Sequence, residues 1–286
     1  MSVVTLPDRR RVRLPAFVFK DWGGRIGLVL MLFEILVGVF GPLVAPHGGN
    51  DTIGIPGQAP SSAYLLGLDF LGRDVLSRTL DGGLSTVLLA VTATTATYLI
   101  GVATGMIAGY SRSLLDPILM RTVDLMISFP ALLVMLLFVT AFGGGPVVLV
   151  AAVVIVLFPG VTRIVRTATL EISTRSYVEA AVARGEKMDS ILRREILPNI
   201  SGSIIADLGV RFAWSVILIA SVNYLGLGLQ PPSANWGLMI SENQVIISTN
   251  PLSLLVPAGM LGILVISVNL LGDAYARQTG RSRSVS

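Results

Sequence analysis

Long apolar stretches without charge alternate along the chain with short segments that hold most of its charged residues. A helix needs about 20 mainly apolar residues to cross the roughly 30 Å core of a bilayer. Five stretches reach that length with no charge apart from Glu34, namely residues 26–45, 82–111, 125–162, 212–241 and 243–272. The third is too long for one crossing, and Gly143-Gly144-Gly145-Pro146 predicts a turn that divides it. The pattern therefore predicts six transmembrane helices.

These helices predict an all-α integral membrane protein with a simple order of segments. The spans are expected near residues 26–45, 84–110, 118–142, 147–163, 203–225 and 252–272. Around them we expect a cytoplasmic N-terminal segment (1–25), a first transmembrane helix (26–46), a periplasmic or extracellular segment (47–83), a five-helix core (84–275) and a cytoplasmic tail (276–286). Within the outer segment, the amphipathic stretch from Leu66 to Leu80 predicts a short helix near the membrane surface.

The basic residues predict how the chain is oriented in the membrane. Lys and Arg favour the cytoplasmic side of short loops. If both termini are cytoplasmic, only Arg73 and Arg78 of the 21 Lys and Arg residues lie outside, and Arg211 lies near the start of the fifth span. The net charge of +4 then reflects topology. The basic run from Arg9 to Arg13 has no interleaved aromatic residue, so we expect it to contact anionic lipid and not nucleic acid.

The one long cytoplasmic loop, residues 164–200, has a helical pattern although it lies outside the membrane. Apolar residues recur at helical spacing on both sides of Gly185: Val178, Ala181 and Val182 before it, and Ile191, Leu192 and Ile196 after it. This pattern is typical of a helix, a turn and a second helix. Glycine permits a tight change of direction, and small alanines let a partner approach the backbone closely. A docking surface and an ordinary solvated loop both fit the local pattern.

The loop also carries a specific motif. Tyr177-Val178-Glu179-Ala180-Ala181, followed by Gly185 and by Ile196-Leu197-Pro198-Asn199, resembles the EAA loop of binding-protein-dependent ABC importer permeases. The resemblance implies a type I ABC importer permease whose loop forms a coupling helix in a cleft of an ATPase subunit. The residues that it assigns to ATPase coupling are Tyr177, Glu179, Ala180, Ala181, Gly185, Leu197 and Pro198.

Three further stretches resemble the peptide and nickel branch of these permeases, in particular its dipeptide and oligopeptide "C" type subunit. They are Leu66-Gly67-Leu68-Asp69 with Gly72-Arg73-Asp74 and Ser77-Arg78, then Asp124 with Ser128-Phe129-Pro130, and Leu225-Gly226-Leu227-Gly228 with Pro231-Pro232 and Trp236-Gly237. The resemblance implies an importer of di- or oligopeptides in the bacterial cytoplasmic membrane, with nickel or glutathione as alternative solutes.

The same resemblance implies a set of partners. They are a second homologous permease, two ATP-binding subunits that hold ATP and Mg, an extracytoplasmic solute-binding protein and membrane lipid. In this chain we expect no catalytic residue, no metal and no cofactor. It contains no Gly-x-x-x-x-Gly-Lys-[Ser/Thr] phosphate loop with which to hold ATP in the usual way.

Glycines and ionisable residues within the spans are further candidates. Gly101, Gly105 and Gly109 lie four residues apart and permit close approach of a neighbouring helix, which could belong to this chain or to the partner permease. The pairs Arg121 with Asp124 and Asp207 with Arg211 have helical pairing distances, and we expect both pairs to be structural. Glu34 is left without an assigned role, and the sequence indicates no residues for the solute pathway.

Two other classes of function fit less of the sequence. An ion-coupled secondary transporter needs buried carboxylates near the midplane, and Glu34 is the one candidate. An intramembrane hydrolase needs a catalytic dyad or metal ligands within the spans. The single histidine, His47, lies in the outer segment, and the chain has no His-Glu-x-x-His motif.

Overall fold

The computed structural model describes residues 21–111 and 114–283, so the predicted N-terminal segment to residue 20 and the tail from 284 lie outside the described residues. Most described residues form helices: α1 (Trp22–Val44), α2 (Val75–Ser111), α3 (Leu115–Ser128), α4 (Ala131–Phe142), α5 (Pro146–Ser173), α6 (Ser176–Ala183), α7 (Met188–Ile191), α8 (Leu197–Tyr224), α9 (Trp236–Glu242) and α10 (Leu252–Arg283). A π-helical turn, Leu192–Ile196, joins α7 to α8. Among the described residues, five helical stretches are long and apolar enough to cross a membrane, or six if the bent pair α3 and α4 is one span. The predicted all-α membrane fold is confirmed.

The bundle has two ends, which we name by what lies there. The loop end holds α6 and α7, and the far end holds the segment 45–74 together with α9. Helix α2 reaches both ends because its 37 residues span about 55 Å at 1.5 Å per residue. A cluster of buried apolar side chains fills the bundle near each end, and each includes residues of α2.

Glycines bring α2 and α5 into close contact along the bundle. A Cβ atom at Gly101 would lie 2.7 Å from Val161, one at Gly105 would lie 2.7 Å from the Thr162 carbonyl oxygen, and one at Gly109 would lie 2.8 Å from the Arg166 carbonyl oxygen. The neighbour of this glycine row is thus a helix of the same chain. Backbones this close gain van der Waals contact that lipid cannot replace.

The third predicted span is broken. Residues 118–142 were expected to form one helix, but α3 and α4 meet at an angle of 89° at Phe129-Pro130. Proline disfavours helical geometry in the residue before it, and Phe129 is accordingly extended with φ −85° and ψ 137°. The apolar run continues through the break without interruption, so hydrophobicity alone did not reveal it.

The outer segment ends earlier than predicted, since α2 begins at Val75 and not near residue 84. The stretch from Leu66 to Leu80 is therefore not a separate surface helix. Its first half forms turns with two isolated backbone bridges, Thr52 to Arg73 and Leu68 to Asp74, and its second half forms the first turns of α2. Asp74 starts that helix by accepting hydrogen bonds from the Ser77 amide (3.0 Å) and hydroxyl (2.6 Å).

Candidate functional site: the coupling loop and its connections

Helix α6 lies at the loop end with one face buried and one face exposed. Val178 and Ala181 are 1% and 0% exposed and pack in the apolar cluster of the loop end. Ala180, Glu179 and Tyr177 are exposed. The outward face thus includes the small side chain of Ala180, over which a groove on another protein can approach the helix backbone closely.

The turn after α6 has the geometry of a Schellman motif. The Glu186 amide donates to the Ala181 carbonyl oxygen at 3.2 Å, and the Gly185 amide donates to the Val182 carbonyl oxygen at 2.9 Å. Gly185 has φ +74°, in the left-handed region that favours glycine. The Arg184 guanidinium beside Glu186 holds the pKa of that carboxyl below its ordinary value. The glycine predicted to allow a tight turn therefore ends α6.

The second half of the loop is continuous with a membrane-spanning helix. Helix α7, the π-helical turn and α8 follow one another without a gap from Met188 to Tyr224. Ile196 and Ile200 are 0% and 1% exposed and belong to the same apolar cluster as Val178, Ala181 and Tyr98 of α2. Helix α6 is therefore packed, through this cluster, against α2, α5 and α8.

Leu197 and Pro198 stand where the π-helical turn becomes α8. Leu197 is partly buried, and Pro198 is exposed. Proline has no amide hydrogen, which suits the first turn of a helix. The Leu197 amide donates to the Leu192 carbonyl oxygen, and the Asn199 side chain donates to the carbonyl oxygen of Glu195. Of the predicted coupling residues, Leu197 and Pro198 thus lie at the junction of the π-helical turn with α8, and the other five lie on α6 or its turn.

A notch of about 340 Å³ separates α6 from the ends of α2 and α5. Its lining includes Tyr110 and Ser111 of α2, Ser173 of α5 and Glu179 of α6. Burial raises the pKa of the Tyr177 hydroxyl above its ordinary value. The loop end thus presents a shallow, partly polar surface beside the exposed face of α6.

A second organised site, which sequence reasoning missed, occupies the far end. Arg73 Nε donates to Asp69 Oδ2 at 2.7 Å, and both Arg73 and Arg78 donate to Glu242 Oε2, at 3.0 and 2.7 Å. The Arg78 side chain is fully buried. Burial raises the pKa of the Glu242 carboxyl, and the two guanidinium groups oppose that rise. The signal in the sequence was the charged pattern from Asp69 to Arg78, but its partner lies 164 residues away.

Neutral polar groups extend this far-end cluster. Trp236 Nε1 donates to the Thr79 carbonyl oxygen at 2.8 Å, and Asn235 Nδ2 donates to Thr86 Oγ1 at 3.0 Å. Asn250 Nδ2 donates to the Leu66 and Leu68 carbonyl oxygens at 2.9 and 3.1 Å. These bonds tie the outer segment and the start of α2 to the connection between α8 and α10.

The two predicted intrahelical pairs have different outcomes. Asp124 accepts a hydrogen bond from Arg163 of α5 at 2.7 Å, so its pairing with Arg121 was a wrong expectation. The Asp124 carboxylate points from α3 toward α5, and spacing along one helix cannot predict such a contact between helices. Arg211 donates to Asp207 at 3.1 Å as expected, and Asp207 also accepts from the Tyr98 hydroxyl at 2.8 Å.

Glu34 is fully buried in α1, and within the described part of the chain neither of its carboxyl oxygens has a hydrogen-bond partner. Gly38 and Gly41, one and two turns further along, contact α2, and Gly27 contacts α10. Glu34 therefore belongs to the packed side of α1 and not to its exposed side.

Comparison with known proteins identifies the family. Residues 101–283, which include the loop, the glycine row and α8, match the model of the binding-protein-dependent transport system inner membrane component. The chain belongs to that family. The match covers well over half of the permease and includes every residue predicted for ATPase coupling.

Relatives align over most of the permease. It is 33% identical to the dipeptide transport system permease protein DppC of Bacillus subtilis over 86% of this chain and 78% of that protein. It is 36% identical to the glutathione transport system permease protein GsiD of Pectobacterium atrosepticum over 76% of this chain and 72% of that protein. It is 31% identical to the oligopeptide transport system permease protein OppC of B. subtilis over 87% and 82%.

A solved structure shows the same fold. The structure of inward-facing conformations of the MetNI methionine ABC transporter matches 70% of the permease and 95% of the compared chain, with a TM-score of 0.56 and 19% identity. The expected type I ABC importer permease fold is thereby confirmed.

Proposed function

We propose that this chain is one of two permease subunits of an ATP-driven importer for di- or oligopeptides, and that α6 seats in a cleft of an ATPase subunit. The observation that carries the proposal is the two-sided packing of α6. Its inner face packs, through Val178 and Ala181, in an apolar cluster that includes residues of the three membrane-spanning helices α2, α5 and α8, and its outer face is exposed. The names of the dipeptide and oligopeptide permease relatives support the peptide as solute.

The chemistry of ATP belongs to the partners in this proposal. ATP and Mg bind to two cytoplasmic ATPase subunits, and this chain, which lacks a phosphate-binding loop, transmits their closure to the bundle. A homologous permease completes the pathway, and an extracytoplasmic receptor delivers the solute. The loop end then faces the cytoplasm, as do both termini.

The coupling role is tested by changing the exposed face of α6 alone. We expect Ala180→Glu to lower co-purification of the ATPase subunits and peptide uptake by more than tenfold, because a longer charged side chain prevents close seating. The matched control is Arg193→Ala, an exposed residue of the same loop that pairs with the exposed Asp189. Unchanged assembly and uptake in Ala180→Glu would refute the coupling assignment.

The orientation is tested separately. The chain has no cysteine, so single replacements report without background. Glu186→Cys at the loop end should react with a membrane-impermeant thiol reagent only from the cytoplasmic side, and Asn50→Cys at the far end only from the opposite side. Labelling of both from one side would overturn the topology.

A further inference from the structure

Arg211 is a partly buried charged residue of the membrane-spanning helix α8. It is the fifteenth of the 28 residues of α8. Gly160, its contact on α5, is likewise the fifteenth of 28 residues. Charged groups at the centre of a membrane helix are rare and face a pairing partner or a pathway. Arg211 does both.

One edge of the Arg211 guanidinium is held by a fixed carboxylate. Its Nε donates to Asp207 Oδ2 at 3.1 Å, and the Tyr98 hydroxyl of α2 donates to the same oxygen at 2.8 Å. Because Asp207 is held from two helices, the guanidinium has little freedom to turn. Its position is set by residues that do not line the same space.

The other edge of the guanidinium remains open. Among the described residues, no group accepts a hydrogen bond from either terminal nitrogen, and both lie over Gly160, where a Cβ would stand 2.8 Å from each. Glycine at 160 therefore leaves room for the planar end of the arginine. A guanidinium with two free, parallel donors matches the two oxygens of a carboxylate.

Arg211 and Gly160 both line a crevice of about 770 Å³. Its walls are mainly apolar and include Met126, Phe129, Ile155 and Trp214, and the 89° bend between α3 and α4 forms one side. The volume lies within the roughly 300–1,000 Å³ of small-molecule sites, which combine apolar walls with a few placed polar groups. Arg163, which also lines the crevice, is engaged by Asp124 at 2.7 Å and is about half exposed.

We propose that Arg211 binds the carboxylate of the imported peptide in this crevice, with Asp207 and Tyr98 positioning its guanidinium and Gly160 providing the space. Peptides differ in their side chains but share a terminal carboxylate, so one fixed guanidinium beside adaptable apolar walls suits a carrier of many sequences. The inference rests on the proposed peptide import.

The test uses the complete transporter, this chain with its partner permease, ATPase subunits and receptor, in proteoliposomes. The probes are dialanine and dialanine C-terminal amide, each supplied at a concentration that gives measurable uptake by the unchanged transporter. Arg211→Gln should lower dialanine uptake about tenfold or more, the loss expected for a charge-assisted hydrogen-bonded pair, and should change amide uptake less than twofold. The receptor is the same throughout, so its preference for one probe cancels when the uptake by each variant is divided by the uptake of the same probe by the unchanged transporter.

Two further variants sharpen the result. Arg211→Lys keeps the charge but not the two parallel donors, and should give an intermediate dialanine uptake. Arg121→Gln removes a charge from the exposed side of α3 outside the crevice and should change neither uptake. Receptor-stimulated ATP hydrolysis should persist in Arg211→Gln.

Three results would overturn the proposal. Equal losses for dialanine and its amide would show a structural role, and loss of the partner permease on purification would show an assembly contact. Dialanine uptake within twofold of the unchanged transporter would show no role at all. If the unchanged transporter imports no peptide, the proposed function fails as well, so the two failures are distinguishable.

Discussion

The two ends of the bundle use polar residues in opposite ways. At the far end, Arg73, Arg78 and Glu242 are nearly or fully buried and bind one another across elements. At the loop end, apolar Val178 and Ala181 are buried, while polar and small residues of α6 remain exposed. The far end therefore uses its charges within the fold, and the loop end offers a surface to another protein.

Under the proposed coupling role, this difference would let one chain hold its shape and still pass on a movement. Removing one member of a buried ionic cluster is strongly destabilising, so the far end resists rearrangement. The exposed face of α6 has few intramolecular contacts to lose when a partner moves it. Helix α2 joins the two ends, since it holds Arg78 near its start and Tyr98 in the apolar cluster of the loop end.

The largest expected effect comes from opening the far-end cluster. Arg78→Ala leaves Glu242 buried with one cation fewer, and we expect a loss of about 3–5 kcal/mol in the free energy of unfolding. Thermal unfolding of the purified protein in detergent measures it. The control, Arg175→Ala, removes an exposed pair with Glu171 and should cost less than about 1 kcal/mol. Similar losses for both would show that the far-end cluster is not the rigid part of the molecule.

The next effect tests the connection between the two ends. Gly105→Val places methyl groups where a Cβ alone would already stand 2.7 Å from the Thr162 carbonyl oxygen. Overpacking of this kind costs about 1–3 kcal/mol, and we expect about 3 because the obstacle is backbone. The same change at Gly262 of α10, which has nothing within 4 Å of an added Cβ, should be nearly neutral. The same unfolding measurement compares them, and equal losses would refute the close contact of α2 with α5.

The sequence predicted the elements better than their ends and partners. Charge-free runs located five long spans because burial in lipid excludes charge, and the same rule placed the start of α2 too late. Arg78 and Asp81 lie in its first turns, and because they are charged the sequence predicted that they lie outside the membrane-spanning helix. Arg78 is in fact buried against Glu242, which the chain reaches only after six further α-helices.

The coupling loop was easier to predict than the crevice. The pattern around Gly185 is local, because a helix, a left-handed glycine and a second helix are all set by neighbouring residues. The crevice depends on the bend at Phe129-Pro130 and on the contact of Arg211 with Gly160, 51 residues apart. Asp124 likewise binds Arg163 of another helix. Contacts between helices depend on packing geometry that spacing along one helix does not contain.

A smaller effect separates the two faces of α6. Ala181→Leu overfills a site that is 0% exposed and should cost about 2 kcal/mol, while Ala180→Leu on the exposed face should cost almost nothing. ATPase binding should be impaired by the exposed substitution, although that substitution barely changes stability. Ala180→Leu is expected to impair ATPase binding in a stable protein, measured by co-purification beside thermal unfolding. A stable Ala180→Leu protein that binds ATPase normally would place the partner elsewhere.

The smallest expected effect compares the same backbone change at both ends. Gly185 and Gly226 each have φ +74° with nothing within 4 Å of an added Cβ. Alanine at either position meets no neighbour, so each change should cost only the left-handed conformation, about 1 kcal/mol. Because the two variants should lose equal stability, any difference between them in transport activity is due to which end of the bundle was changed. Gly185→Ala should lower the ratio of peptide imported to ATP hydrolysed, since it loosens the Schellman turn that ends α6, whereas Gly226→Ala should leave that ratio unchanged. Equal ratios in the two variants would mean that the turn at Gly185 only terminates a helix and plays no part in transmitting the movement.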